Sequence, residues 1–239
     1  MIQFLKELKY YLYSPTYKVH NQDSNKFDIF FGVVISLFLW FIITIISQLI
    51  FVRYPYLRLN QYNSEFSFIY QHKYYYFFVI VFLAPLIEET ICRLILKYTI
   101  LNVLAFLFAF TLIINGDGYL FTKIYNLDSH FFIKVVVFFL VSCFIFFILI
   151  KYLSNIKVNK PLYFPPFFYL TAFVFSFGHI FNFSIDSENV YILPLLIFPY
   201  FIDGLVLGYI RMKSGFLHSL TLHIIINFIP SIILLFQAK

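Results

Sequence analysis

Apolar residues in this chain come in long runs, without the strict alternation of half-buried strands. The runs cover about Ile29 to Phe51, Tyr74 to Lys97, Ile100 to Ile114, Phe131 to Leu153, a stretch opened by Pro165-Pro166 that ends near Phe183, Val190 to Ile210, and Gly215 to Phe236. A helix needs roughly 20 apolar residues to cross the hydrocarbon core of a bilayer. Only the third run is clearly short, and it stops at the turn signal Asn115-Gly116-Asp117-Gly118. The expected fold is therefore all-α, a polytopic transmembrane helical bundle of about seven spans. The count becomes eight if residues 100 to 125 divide into two helices.

Residues 1–28 are patterned differently. Ile2, Leu5, Leu8, Tyr11 and Leu12 repeat at helical spacing beside Lys6 and Lys9, which predicts a short amphipathic helix on the membrane surface. No early apolar core is followed by a small-residue cleavage site, so no cleaved signal peptide is expected. The expected organisation is a cytoplasmic N-terminal segment, 1–28, and one transmembrane domain, 29–239. With the N-terminus inside, Lys6, Lys9, Lys97, Arg211 and Lys213 fall on the cytoplasmic side, and fewer cations, Arg53, Lys73 and Lys123 among them, fall outside. That asymmetry supports an N-in protein of the cell (inner) membrane. Pro194 and Pro199 predict kinks in the sixth span, and Gly204 and Gly208, four apart, predict the close approach of another helix.

Composition agrees: 62% of residues are hydrophobic and 12% charged, which excludes an ordinary soluble domain. The net charge of +6 is scattered over loops and forms no stripe, so the expected partner is a lipid bilayer and no nucleic acid. Cys92 and Cys143 sit inside apolar runs with no CxxC spacing, and no disulfide is expected.

Against this background the polar residues stand out. Glu88, Glu89 and Arg93 interrupt the second run, and ionisable groups at such depth pair, face a polar cavity or do chemistry. Glu89 and Arg93, four apart, share a helical face in the favoured ion-pair orientation, whereas Glu88 points elsewhere. One division of labour has Glu89 hold Arg93 and Glu88 act as base; the reverse is open, and so is a purely structural ion-pair knot. Pro85 removes a backbone bond just before them, so the helix is expected to break or restart there. His223 and Asn227 are also four apart on one face, and His179 stands in the fifth run. Asp203 is read as a local hydrogen-bonding residue, His218 as interfacial, and His20, His72 and His130 as loop histidines. At about 1.5 Å per residue, Glu88 and His223 fall roughly 10 Å from the cytoplasmic side and His179 roughly 25 Å. Convergence then requires tilt or a later start of the fifth helix.

The ordered set Glu88-Glu89-x-x-x-Arg93, Phe175-x-x-x-His179 and His223-x-x-x-Asn227 resembles the CPBP family of intramembrane proteases, which includes type II CAAX prenyl endopeptidases and bacterial Abi proteins. The resemblance runs from Glu88 to Asn227. It implies hydrolysis of a peptide bond in a membrane-associated protein or peptide. Glu88 and His179 would activate water, His223 and Asn227 would stabilise the oxyanion, and Glu89 and Arg93 would support them. The family has also been described as metalloproteases, and Zn²⁺ on Glu88, His179 and His223 is the metal-dependent version of that expectation; with no HExxH present, metal-independent catalysis is preferred. Two other classes compete: an ion-coupled transporter, and a non-catalytic immunity or scaffold protein that keeps the fold.

Overall fold

The computed structural model describes residues 2–17, 26–53, 58–59, 72–116, 120–153, 160–184 and 187–237. His20 and the Asp117-Gly118 end of the expected turn lie outside them. The helices in chain order are α1 (Ile2–Tyr13), α2 (Lys26–Arg53), α3 (Lys73–Phe78), α4 (Ala84–Cys92), α5 (Ile100–Gly116), α6 (Leu120–Tyr125), α7 (Ser129–Leu153), α8 (Lys160–Gly178), α9 (Leu193–Ser214) and α10 (Phe216–Gln237). A π-helical turn, Val79–Leu83, joins α3 to α4, and 3-10 turns cover Leu94–Leu96, His179–Asn182 and Ser187–Ile192. The described extended structure is one antiparallel pair, β1 (Arg58–Leu59) with β2 (Phe183–Ser184). The all-α expectation holds at this level.

Among the described residues two helical stretches, Ser129–Ile148 and Val190–Ser214, are long and apolar enough to cross a membrane. Shorter apolar helices cover Ile29–Leu39, Ile100–Gly116, Leu162–Gly178 and Phe216–Ile232. The expected second span is not one continuous α-helix: it passes through the π turn, ends as α-helix at Cys92 and tightens into a 3-10 turn before Lys97 becomes extended. Between residues 100 and 125 the chain forms α5 and then six-residue α6, about 9 Å long and too short to span. Pro165 and Pro166 lie inside α8, which begins at Lys160, and do not open it. Pro194 occupies the first turn of α9, where a missing N–H costs nothing, so only Pro199 is interior.

Helix α9 is the axis of the bundle, buried along Asp203–Met212 and packed against α2, α8 and α10. The small-residue spacing explains its approach to α8. A Cβ on Gly204 would stand 3.1 Å from the Ala172 backbone, and one on Gly208 would stand 2.7 Å from the Phe168 ring. Gly204→Val therefore has to separate two backbones. We expect it to cost about 1–3 kcal/mol, read as a lower unfolding temperature in mild detergent at unchanged helix content.

Helix α1 docks on the bundle through Phe4, Leu8 and Tyr11, while Ile2 and Leu5 of the expected stripe stay exposed. The Phe4 ring meets Tyr209 edge-on at 5.7 Å, Tyr11 meets Phe168 at 5.4 Å, and Tyr169 Oη donates to the Leu12 carbonyl. Glu7 clamps the end of α9, accepting from Lys213 Nζ at 2.7 Å and from Tyr209 Oη at 3.3 Å. The Lys213 hydrogen bond is the largest influence lowering the Glu7 pKa below its ordinary 4.5. A depressed carboxylate pKa contributes stability that is complete above the unfolded value and lost as pH falls through the folded one. Such a pair is worth less than about 1 kcal/mol. Hydrogen-exchange protection over residues 2–13, after allowing for the slower intrinsic exchange in acid, is thus expected to fall as pH drops below 4.5 while the bundle stays folded. Glu7→Gln should remove that pH dependence.

Candidate functional site

The local break around Pro85 positions the site. A proline ring in an α-helix collides with the carbonyl four residues back and lacks the N–H for it. Here the chain widens by one residue per turn just before Pro85, and Ala84 N–H reaches back five residues to the Val79 carbonyl. A widening of this kind rotates the helix on its C-terminal side, and such turns recur at functional sites. Helix α4 then carries Glu88, Glu89 and Arg93 into the bundle and ends there.

Glu89 is the hub. Its side chain is fully buried and meets partners from two helices. Oε1 lies 3.7 Å from Arg93 Nη1 and accepts from His223 Nδ1 at 3.0 Å, while Oε2 accepts from Ser219 Oγ at 2.5 Å. Ser219 Oγ also stands 3.0 Å from the Leu207 carbonyl, which ties α10 to α9. The expected Glu89–Arg93 pair is present. His223, expected to face an oxyanion, is also anchored to Glu89.

Arg93 is fully buried, with its guanidinium carbon 3.9 Å from the centre of the Phe175 ring and Nη2 3.5 Å from the Gly204 carbonyl. A cation over an aromatic face is stabilised by the ring quadrupole. The Arg93 carbonyl, freed where α4 ends, accepts from Leu96 N–H at 3.2 Å and from Arg211 Nε at 3.1 Å. Arg211 is itself buried. It serves as a helix cap inside the bundle, where the sequence pattern made it a loop cation.

Glu88 is the carboxylate left over. Its side chain is one-third exposed (34%), and Oε2 stands 3.5 Å from His223 Nε2. The two nitrogens of His223 thus face two different carboxylates. A carboxylate only accepts, so Nδ1 carries a hydrogen towards Glu89, and Nε2 is the atom turned to Glu88.

His179 opens the 3-10 turn after α8, and its Nδ1 donates to the Phe175 carbonyl at 2.8 Å. Its ring stacks on Tyr200 of α9 at 4.2 Å and meets Phe175 edge-on at 4.7 Å. Phe175 in turn meets His223 at 5.5 Å, so one ring separates the two histidines. Convergence does not come from a late start of the fifth helix, since α8 begins earlier than expected. Asn227, one turn beyond His223, donates from Nδ2 to the Ile80 carbonyl in the π turn at 3.0 Å.

Glu88, Glu89, Arg93 and His223 therefore form one contiguous network, His179 adjoins it across Phe175, and Asn227 touches the backbone beneath it. His218 is half-buried and lies outside the network. Asp203 is buried beside Gly204; its Oδ1 and Ser36 Oγ have no hydrogen-bond partner among the described residues. Cys92 is a buried free thiol.

Sequence reasoning missed Ser219, Arg211 and Tyr200. Ser219 was findable, because residues 219, 223 and 227 recur every four and line one helical face. Tyr200 carries no such signal among 20 tyrosines.

The expected Zn²⁺ donors are only partly suited to the ion. Both histidines tie Nδ1 to an oxygen, as metal-binding histidines do, and the Nε2 of His223 faces Glu88. Yet among the described residues no three His, Cys, Asp or Glu side chains stand close enough to hold one ion. Comparison with protein-family models, curated proteins and solved structures finds no match for this chain.

Proposed function

We propose that this chain is a multi-pass protein of the cell membrane, crossing it about seven times with the N-terminus inside, and that it hydrolyses a peptide bond in a membrane-associated protein or peptide. The membrane part is supported by exposed apolar surface: Ile133, Val137, Leu140, Val141 and Phe144 of α7 are each more than half exposed. Contiguous apolar surface of that extent on a soluble chain would drive association.

The observation that carries the chemistry is the unequal commitment of the two glutamates. Glu89 is spent on Arg93, His223 and Ser219, whereas Glu88 is one-third exposed and its one ion-pair contact among the described residues is the long one with the His223 ring edge. Glu88 takes a proton from water held between it and His179 Nε2, and the water oxygen attacks the peptide carbonyl carbon. The carbonyl oxygen becomes an oxyanion facing His223 Nε2. That donation needs a hydrogen on Nε2 as well as on Nδ1, so the ring takes part as an imidazolium throughout, and Glu89 offsets its charge from below. The proton on Glu88 passes to the amine nitrogen as the C–N bond breaks. These steps use side chains of this chain alone, and Asn227 enters through the backbone it holds.

The test is to compare peptide termini in membranes from cells carrying the wild type or Glu88→Ala at matched abundance. Termini made only by the wild type support the hydrolase and identify its substrate. If none are made and Glu88→Ala still does in the cell what the wild type does, the scaffold assignment replaces it. Solute uptake by proteoliposomes that Glu88→Gln abolishes would replace it with a carrier.

A further inference from the structure

Asn227 occupies the place where an oxyanion donor was expected, yet its amide is turned into the backbone of another element. Two features of the π turn say why. The turn runs in five-residue register, with Ala84 N–H bonded to the Val79 carbonyl. In that register the next donor belongs to residue 85 and the next acceptor is the Ile80 carbonyl. Residue 85 is proline and has no N–H to give. Asn227 Nδ2 donates to that same Ile80 carbonyl at 3.0 Å.

We infer that Asn227 is a positioning residue, a side-chain replacement for the backbone donor that Pro85 lacks, and that it acts on the reaction by holding the π turn that aims Glu88 and Glu89. The chain would otherwise leave that carbonyl without its helical donor, and an unpaired carbonyl is costly inside a bilayer. The pairing also links α10, which carries His223, to the chain entering α4, which carries the glutamates. Both halves of the site are then fixed relative to one another by one amide. The effect on catalysis rests on the proteolytic assignment above, whereas the pairing of Asn227 with Pro85 does not.

The pairing makes a specific forecast. Restoring an N–H at residue 85 makes Asn227 dispensable. Four full-length proteins would be compared in mild detergent and in cells: wild type, Asn227→Ala, Pro85→Ala and the double variant. Asn227→Ala should lower the unfolding temperature by roughly 3 °C. At a temperature where it is still folded, it should reduce substrate processing about tenfold or more, because the glutamates lose their aim. In the Pro85→Ala background the same Asn227→Ala change should lower the unfolding temperature by less than about 1 °C and leave processing within about threefold of Pro85→Ala alone.

Asn227→Asp covers the case in which Pro85→Ala does not accumulate. It keeps the shape and, when ionised, has no donor, so above neutral pH it should unfold no later than Asn227→Ala. Equal damage from Asn227→Ala in both backgrounds would overturn the inference. So would an Asn227→Asp protein that unfolds like the wild type while processing is lost, for that is the behaviour of an oxyanion donor. If no protein, the wild type included, processes anything, the hydrolase assignment fails, and the unfolding temperatures still decide the pairing.

Discussion

Replacing Glu88 by glutamine is expected to abolish processing while leaving the fold untouched. Glutamine keeps the length and planarity of the side chain and loses the capacity to take a proton. Removing a general base of this kind costs about 10²- to 10⁴-fold in rate. Glu88 is the partner least missed by the fold, since its side chain is one-third exposed and its contact with His223 Nε2 is long, at 3.5 Å. Unfolding temperature and abundance of Glu88→Gln should therefore match the wild type, and only the new termini should vanish. His179→Gln gives a useful contrast. It removes the imidazole that stacks on Tyr200, so some packing is lost together with activity. A Glu88→Gln protein with undiminished processing would end the assignment of Glu88 as base.

The convergence of the polar residues was legible because the spacings are geometric. Glu89 with Arg93 and His223 with Asn227 each lie one helical turn apart, and the structure puts each pair on one face. What the residues on those faces touch was not legible. Asn227 and His223 point the same way, yet one meets the Ile80 carbonyl and the other Glu89, because α10 packs across both the π turn and α4. Pro85 signalled a break, and the structure shows the form of the break, a widened turn that keeps the chain helical. The second apolar run was drawn through to Lys97, since hydropathy does not register that the α-helix ends at Cys92 and tightens into a 3-10 turn before Lys97 becomes extended. Arg211 was misread for a related reason. A cation at the end of an apolar run ordinarily reaches for the interface, and this one turns inward because α4 ends inside the bundle, where the Arg93 carbonyl accepts from Leu96 N–H of the 3-10 turn and still has a lone pair for Arg211 Nε. Gly204 and Gly208 were the reverse case, a spacing whose consequence, contact with α8 at Ala172 and Phe168, comes from the absence of a side chain.

Glu89→Ala is expected to be the most damaging single change to the fold. It leaves the Arg93 guanidinium buried without its carboxylate, deprives His223 Nδ1 of its acceptor and frees one side of Ser219. Removing one partner of a buried ion pair typically costs about 3–5 kcal/mol, because the surviving charge remains desolvated. That is a large share of the total stability of a protein this size, so the variant should fail to accumulate in membranes or should unfold well below the wild type in detergent. The cause can be separated from loss of packing. Adding Arg93→Met removes the orphaned charge while keeping an apolar stem against Phe175, and the double variant should recover much of the lost stability. Arg93→Met alone should cost less than Glu89→Ala, since Glu89 keeps Ser219 and His223. The same series decides between the two glutamates. If Glu89→Ala were as stable as the wild type but inactive, while Glu88→Gln still processed substrate, Glu89 would be the base and Glu88 an accessory to His223. The buried, triply engaged state of Glu89 argues for the opposite order: a carboxylate holding an arginine, a histidine and a serine in place cannot also swing a proton to substrate without loosening all three.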